Sequence, residues 1–353
     1  MNYPPSTGGS ATNYEIFSSE LIKRSNINQI TILSKYIRSE KLLKLSHNGK
    51  IRVIRVLIDY KYKKNFIQKF LLLLLQNIQC CLLGIYIRVK KEYDIIQTHG
   101  DILWAKNGSI IHPGVFFLSK SARSTILDIR DKTSLPTQDL NYSHYLANSQ
   151  FCYSDLAEII HTSKISLIYS PLRTFDKDSL KHNNNFLTKA PYIVFIGTIS
   201  KNKGISFLID AVKLLNQNTQ EKYTLFFCGE LKDPLNKIPQ NCIYLGSLDN
   251  FNAMKLLVAA DLLVLPSKSE SHPRVILESI YYNIPFLTTR GVVELEKHFP
   301  ENMLENIGSE YIATRIKDYF SNSKKHSSTS YPIHLHRIDN IIDQIYKLYK
   351  NLY

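Results

Sequence analysis

Cysteine is scarce in this sequence, and what there is lies scattered. Cys80, Cys81, Cys152, Cys228 and Cys242 are odd in number and form no Cys-x-x-Cys pair. That argues against a disulfide framework or a structural zinc site as the organising device. The opening residues, MNYPPSTGGS, lack the charged region and apolar run of a secretory leader, so the expected compartment is reducing and cytoplasmic. Neither GxxxxGK[ST] nor GxGxxG occurs, which removes the two commonest phosphate loops. No adjacent carboxylate pair and no Ser/His/Asp set stands out as a nucleophile site. Acidic residues are also short, 30 against 44 Lys and Arg, for a net charge of +14. Residues 1–175 hold 23 Lys and Arg against 12 Asp and Glu, and the remainder holds 21 against 18. The excess sits in the first half and points that half at an anionic partner. Nucleic acid ranks last among the candidates, because the basic residues are not interleaved with aromatics in a recognisable module.

The 353 residues, 44% hydrophobic and 21% charged, suit about two globular domains. Short apolar runs at 30–34, 51–58, 93–97, 125–129, 145–147 and 166–169 read as strands, with helices near 14–24, 65–90 and 150–161. A capping box over Thr12–Glu15 would open the first helix, with Gly8 and Gly9 as the turn before it. Too few residues precede that turn for a strand, so the sequence is expected either to begin just after the first strand of a doubly wound domain or to form a domain that tolerates its absence. Residues 176–190 are polar and aperiodic, and read as a linker. A second series follows, with strands at 192–196, 223–228, 243–245, 262–265 and 286–289. Its helices fall at 206–215, 251–260 and 275–282, with two more near 309–321 and 335–351. Alternating strands and helices predict parallel sheets. The expected organisation is an N-terminal domain over 1–175, the linker, a second domain over 191–334, and a terminal helix over 335–353 that crosses back. Two doubly wound domains would face a cleft.

Residues 70–87, FLLLLLQNIQCCLLGIYI, approach the length of a membrane span. Gln76, Asn77 and Gln79 interrupt the run, so a buried or half-buried helix is the leading expectation and an interfacial helix the alternative.

Chemistry concentrates in the second half. In LPSKSESHPRVILE (265–278), a strand ends, a loop carries Glu270, and a helix begins near Pro273. Proline suits the first helical position, and the unpaired N–H groups of a first turn attract anions. Glu270 and Glu278 flank that turn, an arrangement suited to a diphosphate between two polyhydroxyl groups. In FIGTISKNKG (195–204), Gly197 ends a strand and Lys203 supplies a point charge for phosphate. Two other patterns read as chance or surface: Asp176-Lys-Asp178 in the linker, and His334-Leu-His336 on a strand.

Together FIGTISKNKGISFLIDAVKLL, FFCGE, YLGSL and AADLLVLPSKSESHPRVILESIYYNIPFLTT resemble the C-terminal domain of GT-B glycosyltransferases of family 4, glycosyl transferases group 1. YPPSTGG, YDIIQTHG, LDIRD and LANSQF…KISLIYSPLRTF resemble that family's N-terminal signatures more weakly. The resemblance implies an α/β GT-B fold of two Rossmann-like doubly wound parallel-sheet domains. It implies a nucleotide-sugar donor, a saccharide or lipid-linked acceptor, and transfer with retention, in cell-envelope polysaccharide synthesis at an anionic membrane face. No cofactor and no metal are expected. Residue by residue, it implies donor-sugar binding by Glu270, diphosphate neutralisation by Lys203, and ribose binding by Glu278. The backbone from His272 through Pro273, Arg274, Val275 and Ile276 would line the donor, with Gly197, Thr198 and Gly229 beside it and Gly8 and Gly9 opposite. His99, Arg130 and Asp131 lie at strand ends as further catalytic candidates. Thr198 stands where the family usually has a basic residue, a place that Lys201 or Arg274 could fill. A sugar-nucleotide epimerase and a catalytically impaired donor-binding partner subunit are the alternatives.

Overall fold

The computed structural model describes residues 9–35, 41–57, 65–99, 117–118, 120–129, 135–181, 191–220, 222–235, 238–268, 270, 273–290, 293–321 and 331–353. The chain divides into one unit of Met1–Pro171 with His336–Tyr353 and a second of Leu172–Leu335.

The first unit opens with α1 (Gly9–Leu21), β1 (Ile30–Lys35), β2 (Leu43–Ser46), β3 (Ile51–Leu57) and α2 (Phe66–Lys90). It continues with β4 (Ile95–His99), β5 (Ser124–Ile129), β6 (His144–Ala147), α3 (Gln150–Ala157) and β7 (Ile165–Leu167). β4 to β7 form a parallel four-stranded sheet in chain order, and β1-β3-β2 form a separate three-stranded one. The expectation of parallel strands alone is corrected here, because β2 runs antiparallel to β3. His47, Asn48 and Gly49 all take positive φ at the turn between them, the left-handed backbone that a tight hairpin needs. The capping box is corrected as well: helix already begins at Gly9, so Thr12 lies inside it.

The second unit runs α4 (Lys177–Lys181), β8 (Tyr192–Ile196), α5 (Ile205–Asn218), β9 (Thr224–Cys228), β10 (Cys242–Tyr244) and α6 (Asn250–Val258). It ends with β11 (Leu262–Leu265), α7 (Arg274–Tyr282), β12 (Phe286–Thr289), α8 (Val293–His298), β13 (Met303–Leu304) and α9 (Ser309–Ser321). All six strands pair in parallel, in the order β10-β9-β8-β11-β12-β13. Counted within the unit that order is 3-2-1-4-5-6, the doubly wound arrangement. The strands are apolar on both faces because helices cover both: Ile193, Val194, Leu263 and Val264 are wholly buried.

The linker reading is corrected over its first part. Asp176 accepts from Ser179 N at 2.8 Å to start α4, and Leu180 is fully buried in the second unit's core. The same capping disposes of Asp176-Lys-Asp178 as a metal motif. The last helix, α10 (Ile338–Leu352), belongs to the first unit, where Ile341, Ile342, Ile345 and Leu348 pack with Tyr14, Phe17 and Leu21 of α1. His334 and His336 lie on a 3-10 turn rather than a strand. His336 is buried, with Nδ1 3.1 Å from Ser170 O and its ring 4.8 Å from that of Tyr169.

α2 corrects the leading expectation for 70–87. Its buried positions are Gln76, Cys80, Gly84 and Ile87, while Phe70, Leu74, Ile78 and Leu82 are exposed. Of the polar interruptions Gln76 is buried on the inward side and Asn77 and Gln79 are half-buried, while most of the large apolar side chains face out. Among the described residues it is the one helix long and apolar enough to cross a membrane. All five cysteines are free thiols.

Candidate functional site

In a doubly wound sheet the chain order reverses at one place, and ligands bind beyond the strand ends there. In the second unit that place is between β8 and β11. β8 runs into Gly197, and β11 into Pro266 and Ser267. The two loops that sequence reasoning singled out therefore leave neighbouring strands at the reversal point.

Backbone contacts hold the loops together. Lys201–Lys203 make a single 3-10 turn, closed by Gly204 at φ 68°. A Cβ on Gly204 would lie 2.0 Å from Pro266 O, so only glycine lets this turn approach the β11 loop. Lys268 N donates to Asn202 O at 2.8 Å across the same seam. Gly229, after β9, takes φ 146°, and its Cβ would lie 1.8 Å from Gly197 O. Gly197 is different, since a methyl there would meet nothing closer than Phe195 Cζ at 3.6 Å. The fold itself does not demand glycine at 197.

Side chains then converge. Lys203 Nζ pairs with Glu270 Oε1, and Ser267 Oγ donates to the same oxygen at 2.7 Å. Ser267 is fully buried, and Thr289 Oγ1 donates to its carbonyl at 2.5 Å, which fixes the loop to β12. The Glu270 side chain is 12% exposed and that of Lys203 27%. The pair is thus reachable from solvent without being loose on the surface.

α7 begins directly after. Pro273 is its N-cap, at φ −72° and ψ 110°, one position earlier than the sequence suggests, and no side chain caps this end. The first-turn N–H groups of Arg274 and Val275 and the positive end of the helix dipole are the anion-attracting feature, while the Ile276 N–H donates to Pro273 O at 3.0 Å. The Val275 and Ile276 side chains are buried apolar groups that offer a ligand no hydrogen bond. Glu278, one turn further, is almost wholly buried. Burial pushes its carboxyl above the ordinary carboxylate range, against the opposing pull of Arg274 and Arg173. Arg173 Nη2 stands 3.9 Å from Glu278 Oε1. Tyr282 anchors the same segment, accepting from Phe175 N at 2.7 Å and donating to Phe175 O at 3.0 Å.

The structure therefore brings Gly197, Thr198, Lys203, Gly229, Glu270, Pro273, Arg274, Val275, Ile276 and Glu278 into one unit, around neighbouring strand ends. Gly8, Arg130, Asp131 and His272 lie outside the described residues, as does 182–190 of the linker. Gly9 is the first residue of α1, and His99 is the last of β4, opposite Asp128 in the register. Sequence reasoning missed Ser267 and Arg173. Ser267 could have been found as the small polar residue next after Pro266 at a strand end. Arg173 could have been found in the PLRTF run, whose backbone leads straight into α4. Among the described residues no group of three or more His, Cys, Asp or Glu side chains is placed to hold a metal ion.

Residues 176–331 match the family model described as Glycosyl transferases group 1. A protein of Klebsiella pneumoniae described as an uncharacterized 41.2 kDa protein in the cps region is 26% identical over 220 residues, 58% of this chain and 61% of that protein. An uncharacterized glycosyltransferase of Methanocaldococcus jannaschii is 25% identical over 238 residues, 59% of this chain and 60% of that protein. The matches thus span about three-fifths of these relatives' length. Among solved structures, sucrose-phosphate synthase from Thermosynechococcus elongatus superposes with a TM-score of 0.71 at 13% identity, covering 98% of this chain and 94% of its own. WaaG, a glycosyltransferase involved in lipopolysaccharide biosynthesis, superposes with a TM-score of 0.62 at 12% identity, covering 99% and 96%. The fold is that of GT-B glycosyltransferases.

Proposed function

We propose that this chain, whose residues 176–331 form a glycosyl transferases group 1 domain, is a retaining glycosyltransferase of cell-envelope polysaccharide synthesis. It would move a sugar from a nucleotide-sugar donor to a saccharide or lipid-linked acceptor. The observation that carries the reading is the Lys203–Glu270 pair, held by Ser267 beside the uncapped start of α7 at the sheet's reversal point.

On this reading the diphosphate takes the first-turn N–H groups of α7, and Lys203 turns from Glu270 to the phosphate. Arg274 supplies the second positive charge that Thr198 does not. Glu270, released from Lys203, accepts hydrogen bonds from donor-sugar hydroxyls, and Glu278 accepts from the ribose. At Gly197 the lack of a side chain lets the donor approach the backbone closely. Negative charge grows on the leaving phosphate as the glycosidic bond lengthens, and preorganised donors stabilise it where it develops. The acceptor hydroxyl enters on the face the leaving group vacates. The leaving phosphate oxygen takes its proton, so no protein nucleophile is required.

The envelope setting draws on the Klebsiella protein of the cps region. It also draws on a Campylobacter jejuni enzyme, 27% identical over 127 residues, whose name describes sugar transfer onto an undecaprenol-linked saccharide. A lipid-linked acceptor and the basic balance of residues 1–175 both favour work at the inner, anionic face of the cell membrane. Thermal-shift screening against nucleoside diphosphates and their sugars tests the donor assignment. A rise in melting temperature with one nucleotide sugar, lost in Lys203→Ala, is the expected result. Equal shifts in both proteins would overturn the assignment.

A further inference from the structure

We propose that α2 lies in the plane of an anionic lipid surface and is the element by which this chain docks on a membrane. This rests on the reading above that the acceptor is presented at a membrane, and it assigns the docking to one helix and one orientation.

The first observation is an inverted helix. At 100° per residue, Phe70, Leu71, Leu74, Ile78, Leu82 and Ile85 fall within one 120° arc. Each is 50–62% exposed. The opposite arc holds Gln76, Cys80, Gly84 and Ile87, which are buried. An ordinary surface helix turns its apolar arc to the core, as α10 does in this same unit. A contiguous apolar face of this size, left outward, marks an interaction surface.

The second observation is the charge around it. Between Asp59 and Glu92 the sequence contains no acidic residue, yet it carries Lys61, Lys63, Lys64 and Lys69 before the apolar run and Arg88, Lys90 and Lys91 after it. Apolar side chains flanked by cations complement acyl chains beneath anionic headgroups. A second copy of the chain would bring the same cations to the same flanks, which disfavours it as the occupant.

The third observation fixes the orientation. α2 is stapled lengthwise to its unit. A Cβ on Gly84 would lie 2.7 Å from Ser121 Oγ and 2.8 Å from Phe117 Cδ1, so the helix and the 117–121 segment are in close contact. Cys80 and Ile87 pack with Leu118, and Leu33, Tyr93 and Ile96 close the cluster. Arg88 Nη2 donates to Lys120 O at 3.1 Å. The chain enters α2 from β3 and leaves it for β4, both in the first unit. Crossing a bilayer would strip these contacts and place β3 and β4 on opposite sides. Lying in the interface keeps them and covers only the outward arc.

The test uses the full chain and two vesicle compositions, phosphatidylglycerol mixed with phosphatidylcholine, and phosphatidylcholine alone. Wild type should co-sediment with the anionic vesicles at least tenfold more strongly than with the neutral ones. Leu71→Ser, Leu74→Ser, Ile78→Ser and Leu82→Ser combined should weaken binding to anionic vesicles at least tenfold. The melting temperature and its shift by nucleotide sugar should not move, since none of these residues belongs to the donor site. Alkaline carbonate should release the bound wild type. Undiminished binding by the variant overturns the proposal. So does a wild type that ignores both vesicles but is a dimer which the variant dissolves. Retention through carbonate would mean a span and overturns the orientation. Loss of the nucleotide-sugar shift with docking intact would instead remove the donor reading and leave α2 standing.

Discussion

The two units are built from the same alternation of strand and helix, and they dispose of their apolar surplus in opposite ways. In the second unit it is folded away: β11 and all of β8 but the half-buried Ile196 are buried, and two glycines let loops approach until backbone touches backbone. In the first unit α10 turns Ile341, Ile342, Ile345 and Leu348 inward, while α2 turns Gln76, Cys80 and Gly84 inward and leaves Leu71, Leu74, Leu75 and Leu82 exposed. The amount of apolar side chain in a helix therefore does not decide whether it joins a core. What decides is which face the small and polar residues occupy, because that face alone can approach the neighbouring backbone closely.

The contrast can be broken most severely at Gly229. A methyl there would sit 1.8 Å from Gly197 O at a φ that alanine resists. Gly229→Ala should lower stability by roughly 3 kcal/mol or more and collapse the donor loops, read as a drop in the denaturant midpoint. Glu270→Ala comes next and should leave the fold intact. Loss of a comparable transition-state contact costs about 2.7–4 kcal/mol in barrier, so turnover should fall at least tenfold. Wild-type turnover, measured with a verified donor, would remove Glu270 from the site.

Smaller effects sharpen the comparison through pH. Burial raises the folded-state pKa of Glu278 above its unfolded value. The native state then holds the proton over a window above about pH 4.3, and this group's contribution is lost as pH rises through the raised value. Glu278→Gln should flatten that fall in melting temperature as pH rises above the ordinary carboxylate range, while weakening donor affinity. An unchanged pH slope would mean that Glu278 is not buried in solution. In the first unit, burial brings the Lys120 amine down to about 8, with Asp139 pulling the other way. The sign is opposite here. Stability should rise as pH climbs from about 8 toward the unfolded value near 10.4, and Lys120→Met should remove that rise.

Much of the second unit was legible because its signals are local. YIVFI and LLVL are unbroken apolar runs ending at glycine or proline, and residues 309–321 carry a clean helical period. The loops bearing Lys203 and Glu270 stood out by the same punctuation. What was missed depends on partners distant in sequence. Arg173 matters because it reaches Glu278, and Ser267 because it reaches Glu270. The β2 strand was overlooked although Asn48-Gly49 is a strong hairpin signal, because Leu43–Ser46 is short and mostly exposed. For α2, periodicity identified the helix but not which of two faces would meet the unit. That choice was made by Gly84 against Ser121, a contact with no sequence signature.

A crystal soaked with the nucleotide sugar that gives the largest thermal shift is the most direct measurement. The predicted result has pyrophosphate oxygens within hydrogen-bond reach of the Arg274 and Val275 N–H groups, Lys203 swung from Glu270 to the phosphate, and Glu270 on a sugar hydroxyl. A pyrophosphate bound elsewhere, with the Lys203–Glu270 pair still closed, would contradict it.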